Sequence, residues 1–193
     1  MSLPFNRQIA PIEVVAYNSQ WPVEYDALAA ILWRAVGDVA VSIEHVGSTS
    51  VPGLAAKPIL DIDIVIASRH DLPAIAERLT KLGYAHNGDQ GCPGREAFKF
   101  PDTSVPHDPS GRHWPRHHLY VCDVDNIYYR RHVAFRDYLR SHADVAKEYG
   151  ELKLSLAETY RDDRNGYTEA KTEFVFAVYR VIGGLEDVTD EGL

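Results

Sequence analysis

Two aspartates, Asp61 and Asp63, stand two positions apart in the apolar segment of residues 59–66. Side chains two positions apart in a β-strand leave the same face, and their apolar neighbours point the other way, into a core. Two carboxylates on one face repel each other, and a divalent cation relieves that repulsion. Mg²⁺ commonly binds one or two carboxylates together with substrate phosphates. The pair therefore predicts a Mg²⁺ site; the alternative is that both carboxylates are solvated at a strand end.

Upstream of the aspartates, Gly47 and Ser48 follow an apolar segment and precede Thr49. Glycine allows a backbone to approach a ligand closely, and the N–H groups of the following turn hold phosphate oxygens in many proteins. We therefore predict that Gly47, Ser48 and Thr49 contact a phosphate group. Lys57 lies between this turn and the aspartates, and we expect it to meet phosphates as a point charge. The alternative is an ordinary surface lysine.

The spacing of apolar residues predicts an α+β fold, in which a mixed β-sheet with flanking helices precedes a helical C-terminal extension. The predicted strands cover residues 12–17, 39–46, 59–66, 97–100 and 118–122. The predicted helices begin at Pro22 and at Asp71 or Pro73, and later cover residues 126–142, 143–161 and 167–183. The 193 residues suit a single domain, with an α/β core at 1–125 and a helical part at 126–184.

The order of strand, Gly-Ser, short connection and Asp-x-Asp resembles the nucleotidyltransferase superfamily, and IEHVGSTSVPGLAAKPILDIDIVI resembles the hallmark segment of its GrpB family. Further segments resemble the N-terminal, central and C-terminal elements of that family: VVAYNSQWPVEYDALAAIL, HHLYVC, FRDYLRSHADVAKEYGELKLSLA and YTEAKTEFV. The resemblance implies one GrpB-like domain with a nucleotidyltransferase-like fold. It also implies a phosphate held at Gly47 and Ser48, and two metal ions bridged by Asp61 and Asp63.

The same resemblance directs attention to a third carboxylate, which nucleotidyltransferases usually place on a later strand. Asp123, at the end of the predicted strand 118–122, is a candidate, or a solvated strand end. His118 stands where the GrpB-like pattern usually begins His-x-His, although Tyr120 takes the second place here. We interpret His118 as a candidate catalytic residue, either a metal ligand or a general base, since histidine titrates near neutral pH. A purely structural histidine is the alternative.

Four further basic residues complete the candidate substrate-binding site. Arg95 and Lys99 belong to the strand-like segment GREAFKF and would add positive charge to the cleft. Lys153 and Lys171 match polar positions of the GrpB-like C-terminal helices and would close one side of a pocket. Solvated strand and helix faces would explain all four equally well.

The composition limits the partners of this chain. A net charge of −8 argues against a general nucleic-acid-binding protein, because phosphate-backbone affinity depends on clustered Lys and Arg. No apolar run approaches the roughly 20 residues that span a bilayer, so we expect no membrane partner. The presence of only two cysteines predicts a reduced, cytoplasmic protein. The pattern carries no prediction of oligomeric state.

These patterns predict a Mg²⁺-dependent nucleotidyltransferase-like protein. It would bind a nucleoside triphosphate, or another phosphorylated small molecule, and transfer a nucleotidyl group to a small acceptor. One alternative is a non-catalytic nucleotide- or CoA-related binding domain, as in GrpB-like domains fused to dephospho-CoA kinase. Another is hydrolysis of a phosphorylated metabolite at the same metal site.

Overall fold

The computed structural model describes residues 11–183 and 185. Five strands are present: β1 Ala40–Val46, β2 Leu60–Ile66, β3 Ala85–His86, β4 Arg95–Lys99 and β5 His117–Asp123. Five α-helices accompany them: α1 Gln20–Val36, α2 Leu72–Lys81, α3 Ile127–Ser141, α4 Ala143–Thr159 and α5 Arg164–Ile182. Short 3₁₀ turns follow β1 and β2, at Ser48–Ser50 and Arg69–Asp71.

The strands form one mixed sheet in the order β1-β2-β5-β4-β3. β2 and β5 are parallel, and every other neighbouring pair is antiparallel. The predicted α+β class, with a mixed sheet and flanking helices, is therefore confirmed. The three helices predicted after the sheet are also present, within a few residues of their expected bounds.

Alternation along β2 separates the core from the candidate site. Ile62 and Ile64 are fully buried on one face, where they belong to a cluster with apolar residues of α1 and α2, including Leu28 and Ile75. The other face, which carries Asp63, is approached by α3, which packs against β1 and β5. The sheet is thus a central layer between two sets of helices.

A second apolar cluster fixes the C-terminal helices against the loop that follows β1. It joins buried residues of that loop, of α3 and of α4: Val51, Leu54, Leu139, Ala146 and Tyr149. Phe174 of α5 stacks on Tyr149 with ring centroids 4.8 Å apart. Because the glycine–serine turn precedes this loop directly, the cluster holds the turn close to α4 and α5.

One local prediction was wrong, and one short element was missed. Residues 12–17 do not form a strand of the sheet; Val15 makes one isolated bridge to Ala56, with both N···O distances 2.9 Å. High β-propensity does not provide a neighbouring strand, and a single bridge is all that residues 54–58 offer. The two-residue strand β3 was not predicted, since Ala85 and His86 are exposed and too short to show a pattern.

Within residues 11–183 and 185, no helix is both long and apolar enough to span a membrane.

Candidate functional site

The register of β1, β2 and β5 determines which polar side chains share a face. Asp61 lies opposite His118 of β5, and Asp63 lies opposite Tyr120 of β5 and Glu44 of β1. Directly opposite residues of neighbouring strands project to the same side of the sheet. Asp123 lies opposite Ile66 instead, so it projects to the face away from Asp61 and Asp63. The suggestion that Asp123 supplies a third carboxylate is therefore wrong.

Gly47 brings the turn after β1 into contact with the first aspartate. Its backbone has φ 67° and ψ −175°, a conformation that is almost restricted to glycine. A Cβ atom at this position would collide with the carboxylate of Asp61. The turn is closed by Ser50, whose Oγ donates to the carbonyl oxygen of Gly47 at 2.6 Å. The glycine is therefore required by both the backbone conformation and the close approach of Asp61.

A small pocket of about 140 Å³ opens beside this turn. It is lined by residues from the turn, the connection before β2, the β2 and β5 strands and the α4 and α5 helices: Ser48, Thr49, Lys57, Ile59, Asp61, His118, Tyr149, Lys153, Tyr167 and Lys171. Most of the residues predicted from the sequence to bind substrate are thus brought together. Thr49 is buried, and its hydroxyl is hydrogen-bonded to the His45 ring at 3.0 Å, so it also holds the turn in place.

Three lysines converge on this pocket. Lys153 of α4 is only 3% exposed, and its Nζ donates to Ser48 Oγ at 2.8 Å. The Nζ atoms of Lys57 and Lys171 lie 4.1 and 4.9 Å from the ring centroid of Tyr167. None of the three forms an ion pair with a carboxylate in the described part of the chain. The pocket therefore concentrates positive charge without a direct protein counter-ion.

Burial changes the titration of these lysines. It lowers the pKa of Lys153 to about 7 and that of Lys57 to about 8, and the neighbouring Lys171 contributes in the same direction to both. Burial likewise lowers the pKa of Lys171, although Asp61 opposes the shift. Buried cations without partners are costly, and a bound anion would remove that cost. This arrangement of buried lysines suits an anionic ligand.

The two aspartates occupy different environments. Asp61 lines the pocket, and burial raises its pKa, whereas the nearby His118 and His132 act to lower it. Asp63 is fully buried behind it, and its Oδ2 lies 2.7 Å from Nδ1 of His132 on α3. Among the described residues, Oδ1 of Asp63 has no hydrogen-bond partner. A buried carboxylate oxygen without a partner is rare, and such an atom is available to a water molecule or a cation.

His132 is a residue of the site that the sequence patterns did not identify. Burial opposes its protonation, but the carboxylate of Asp63 outweighs burial and raises the pKa of the imidazole. Arg136, one helical turn later, donates to Glu44 Oε2 at 2.9 Å and to the carbonyl oxygen of His45 at 3.1 Å. Polar residues four positions apart share a helix face, and that spacing on α3 was the available signal.

The remaining predicted residues lie outside the pocket or at its rim. His118 lines the pocket and is exposed. Arg95 donates to Cys92 Sγ at 2.9 Å, and its guanidinium lies 4.5 Å from the ring centroid of Tyr120. Lys99 is exposed at the far end of β4. Neither Arg95 nor Lys99 lines the pocket, so the structure does not bring these two residues together with the three lysines.

A divalent cation fits this site only with help from a ligand. Across residues 11–183 and 185, no three His, Cys, Asp or Glu side chains form a group able to hold a metal ion by themselves. Asp61 and the unpartnered Oδ1 of Asp63 nevertheless provide the two carboxylates with which Mg²⁺ is commonly bound, the remaining positions going to phosphate oxygens and water. The residues therefore suit Mg²⁺ bound together with a phosphorylated ligand.

Comparison with known proteins places this chain among bacterial relatives. Glutamate-rich protein GrpB of Alkalihalophilus pseudofirmus is 34% identical over 84% of this chain and 90% of its own length. YqkA of Bacillus subtilis is 34% identical over 85% of this chain, which spans only 45% of that protein. A dephospho-CoA kinase of Mycolicibacterium paratuberculosis is 36% identical over 90% of this chain and 47% of its own length.

Solved structures of other proteins also resemble this chain. Conserved protein GrpB from Enterococcus faecalis superposes with a TM-score of 0.72 at 30% identity, covering 86% of this chain and 94% of that one. The GLD-2/RNP-8 complex contains a nucleotidyltransferase-fold chain that matches with a TM-score of 0.54 at 14% identity, over 90% of this chain and 64% of that one. This second likeness shows a shared nucleotidyltransferase-like fold. The model of the GrpB protein family matches residues 11–180, and the chain therefore belongs to the GrpB family.

Proposed function

We propose that this protein binds a nucleoside triphosphate with Mg²⁺ and transfers a nucleotidyl group to a small acceptor. The observation that carries the proposal is the convergence of Lys57, Lys153 and Lys171, without ion-pair partners in the described chain, on a pocket that also exposes Asp61. Cations and a metal-binding carboxylate in one pocket suit a ligand that carries both phosphate charge and a divalent ion. We also propose a cytoplasmic location, which is consistent with Cys92 and Cys122 being thiols rather than a disulfide.

Each group has a definite role in this proposal. Ser48 and Lys153, already hydrogen-bonded to each other, would hold phosphate oxygens at the turn after β1. Lys57 and Lys171 would neutralise the charge that develops on the leaving pyrophosphate. Mg²⁺ at Asp61 and Asp63 would polarise the phosphate and orient it. Catalysis would depend on positioning and charge neutralisation for in-line attack on the α-phosphate. His118, at the rim of the pocket, would contact the acceptor.

The size of the pocket limits how the ligand lies. Pockets for drug-sized ligands usually occupy about 300–1,000 Å³, and this pocket has only about 140 Å³. It is therefore suited to phosphate groups, and the nucleoside must extend outwards. A neighbouring groove of about 680 Å³ shares Lys57 and Ile59 with the pocket and also contains Arg116 and Arg164. We propose this groove as the place of the nucleoside or the acceptor.

The proposal is tested by separate Asp61→Asn and Asp63→Asn substitutions. Each removes a carboxylate that would bind Mg²⁺, so we expect calorimetry to show clearly weaker binding of a Mg²⁺–nucleoside triphosphate and turnover assays to show no pyrophosphate release. Asp26→Asn, on the exposed surface of α1, is the matched control and should behave like the parent. Unchanged Mg²⁺–nucleotide binding in both site variants would refute the assignment.

A second candidate function is binding without catalysis. It is favoured by a specific observation: no carboxylate of β5 projects to the face of Asp61 and Asp63, because His118 and Tyr120 take the opposing positions. The likeness to part of a dephospho-CoA kinase suggests a nucleotide- or CoA-related ligand for such a module. Calorimetric binding without pyrophosphate release across a panel of acceptors would favour it over the transferase. Release of inorganic phosphate would indicate hydrolysis instead.

A further inference from the structure

The two carboxylates of the site do not offer the same number of free oxygens. Oδ2 of Asp63 is occupied by Nδ1 of His132 at 2.7 Å, and only Oδ1 of Asp63 is without a partner among the described residues. In a two-metal site the ions lie about 3.5–4 Å apart and share their carboxylate ligands. The hydrogen bond with His132 uses one lone pair of Oδ2, so Oδ1 is the oxygen of Asp63 that is more available to a metal ion.

Among the described residues of the sheet, no further carboxylate on this face is free to replace the oxygen that His132 occupies. Glu44 is the acidic residue opposite Asp63 on β1, but it is paired with Arg136 at 2.9 Å. On the other side of β2, the positions opposite Asp61 and Asp63 are His118 and Tyr120. The face of the sheet therefore provides two ligating carboxylates and no third acid for a second ion.

The charge of the pocket also favours a single bound ion. Two carboxylates balance one divalent cation, whereas a second one would add two positive charges beside Lys57, Lys153 and Lys171. Like charges at short range raise the energy of a site, and the lysines already supply positive charge to a bound phosphate. In this protein the lysines thus provide the positive charge that a second metal ion provides in two-metal sites.

From these observations we infer that the site takes one divalent cation, bound by Asp61 and by Oδ1 of Asp63, and that His132 is the positioning residue that reserves Oδ2. The inference rests on the proposed function, which requires a metal-bound phosphate, and it specifies the number of ions and a residue that positions one of their ligands. It differs from the two bridged ions that the nucleotidyltransferase-like pattern implies.

The test counts Mn²⁺, in place of Mg²⁺, by equilibrium dialysis of the full chain with saturating inorganic tripolyphosphate. We expect one Mn²⁺ for each chain. Two Mn²⁺ for each chain would overturn the inference and leave the proposed function standing. No bound Mn²⁺ would overturn both, so the two failures are distinguishable.

Substitutions at His132 test its positioning role. His132→Ala should weaken Mn²⁺ binding about 10- to 100-fold, as loss of an outer partner does at other metal sites. His132→Asn keeps an N–H donor near the position of Nδ1 and should restore most of the affinity, which a purely structural loss would not predict. His70→Ala, on the exposed turn before α2, is the control and should match the parent. Parental Mn²⁺ affinity in folded His132→Ala would show that His132 has no such role.

Discussion

Lys153 of α4 donates a hydrogen bond from Nζ to Oγ of Ser48, a residue 105 positions earlier in the chain, at 2.8 Å. The bond joins the helical C-terminal part to the turn that follows β1. It also brings a buried ammonium group to the floor of a pocket in which no carboxylate pairs with it, so far as the chain is described. An arrangement of this kind reduces stability unless an anion binds, which makes Lys153 the most informative single position to change.

The first prediction concerns Lys153→Met, which removes the charge and keeps a side chain of similar length. One charge-assisted hydrogen bond to a phosphate contributes about 1.5–3 kcal/mol. We therefore expect calorimetry to show roughly 10- to 100-fold weaker binding of inorganic tripolyphosphate. The free energy of unfolding without ligand should stay the same or increase, because an unpaired buried cation is lost.

Lys147→Met is the matched control for this experiment. Lys147 belongs to the same helix, but it is exposed and lies 3.8 Å from Glu151, a surface pair that contributes little. Binding and stability should both remain close to parental values. A large loss of stability in Lys153→Met, with unchanged tripolyphosphate affinity, would mean that Lys153 has a structural role only.

The second prediction is a pH dependence. The pKa of Lys153 is lowered from 10.5 to about 7 and that of Lys57 to about 8, so both lose their protons as the pH rises through this range. Tripolyphosphate affinity should therefore fall from about pH 6 to about pH 9. In Lys153→Met the fall should be smaller and centred near the pKa of Lys57. A parental affinity that increases with pH would contradict the prediction.

The stability of the ligand-free protein should change in the opposite direction. Between about 7 and the ordinary value of 10.5, Lys153 binds more protons in the unfolded chain than in the folded one. Stability then rises with pH across that window, since the unfolded state holds the additional proton. Denaturant titrations of the parent and of Lys153→Met at several pH values should show a steeper rise in the parent.

The third prediction concerns Gly47→Ala. The residue has φ 67° and ψ −175°, and an added Cβ would collide with the carboxylate of Asp61. A non-glycine residue in this backbone region costs about 1–3 kcal/mol, before the collision is counted. We expect a loss of unfolding free energy of at least that size and, because Asp61 must move, loss of Mn²⁺ binding.

Gly53→Ala separates backbone strain from the collision. Gly53 also has a positive φ of 80°, but no atom lies within 4 Å of an added Cβ. Its substitution should cost about 1 kcal/mol of stability and leave Mn²⁺ binding intact. Equal effects of both substitutions on Mn²⁺ binding would show that contact with Asp61 is not what requires glycine at position 47.

The fourth prediction concerns Arg136→Met. Arg136 is 10% exposed, and it holds both the Glu44 carboxylate and the carbonyl oxygen of His45. Removing a donor from a partly buried charged group costs about 1.5–3 kcal/mol. Chemical denaturation should show a decrease of that order, whereas the exposed Arg130→Met on the same helix should be close to neutral. A neutral Arg136→Met would mean that Glu44 is satisfied by water.

Sequence periodicity predicted most of the fold, because a long amphipathic or apolar segment is stable only where its apolar side chains are buried. In the strand of residues 60–66 the fully buried Ile62 and Ile64 alternate with the two aspartates, and the three C-terminal helices have apolar faces long enough to be recognised. The segment 12–17 was misassigned because β-propensity does not show whether a neighbouring strand is available. β3 was missed because two exposed residues carry no periodic signal.

The sequence by itself determined the face that Asp61 and Asp63 share, since alternation in a strand is a local property of the backbone. It also pointed to the glycine–serine turn and to membership of the GrpB family. Only the tertiary structure decided that Lys153 reaches Ser48, that His132 occupies one oxygen of Asp63, and that Asp123 projects to the other face. Those relationships depend on strand register and on the packing of helices distant in sequence, which no local pattern encodes.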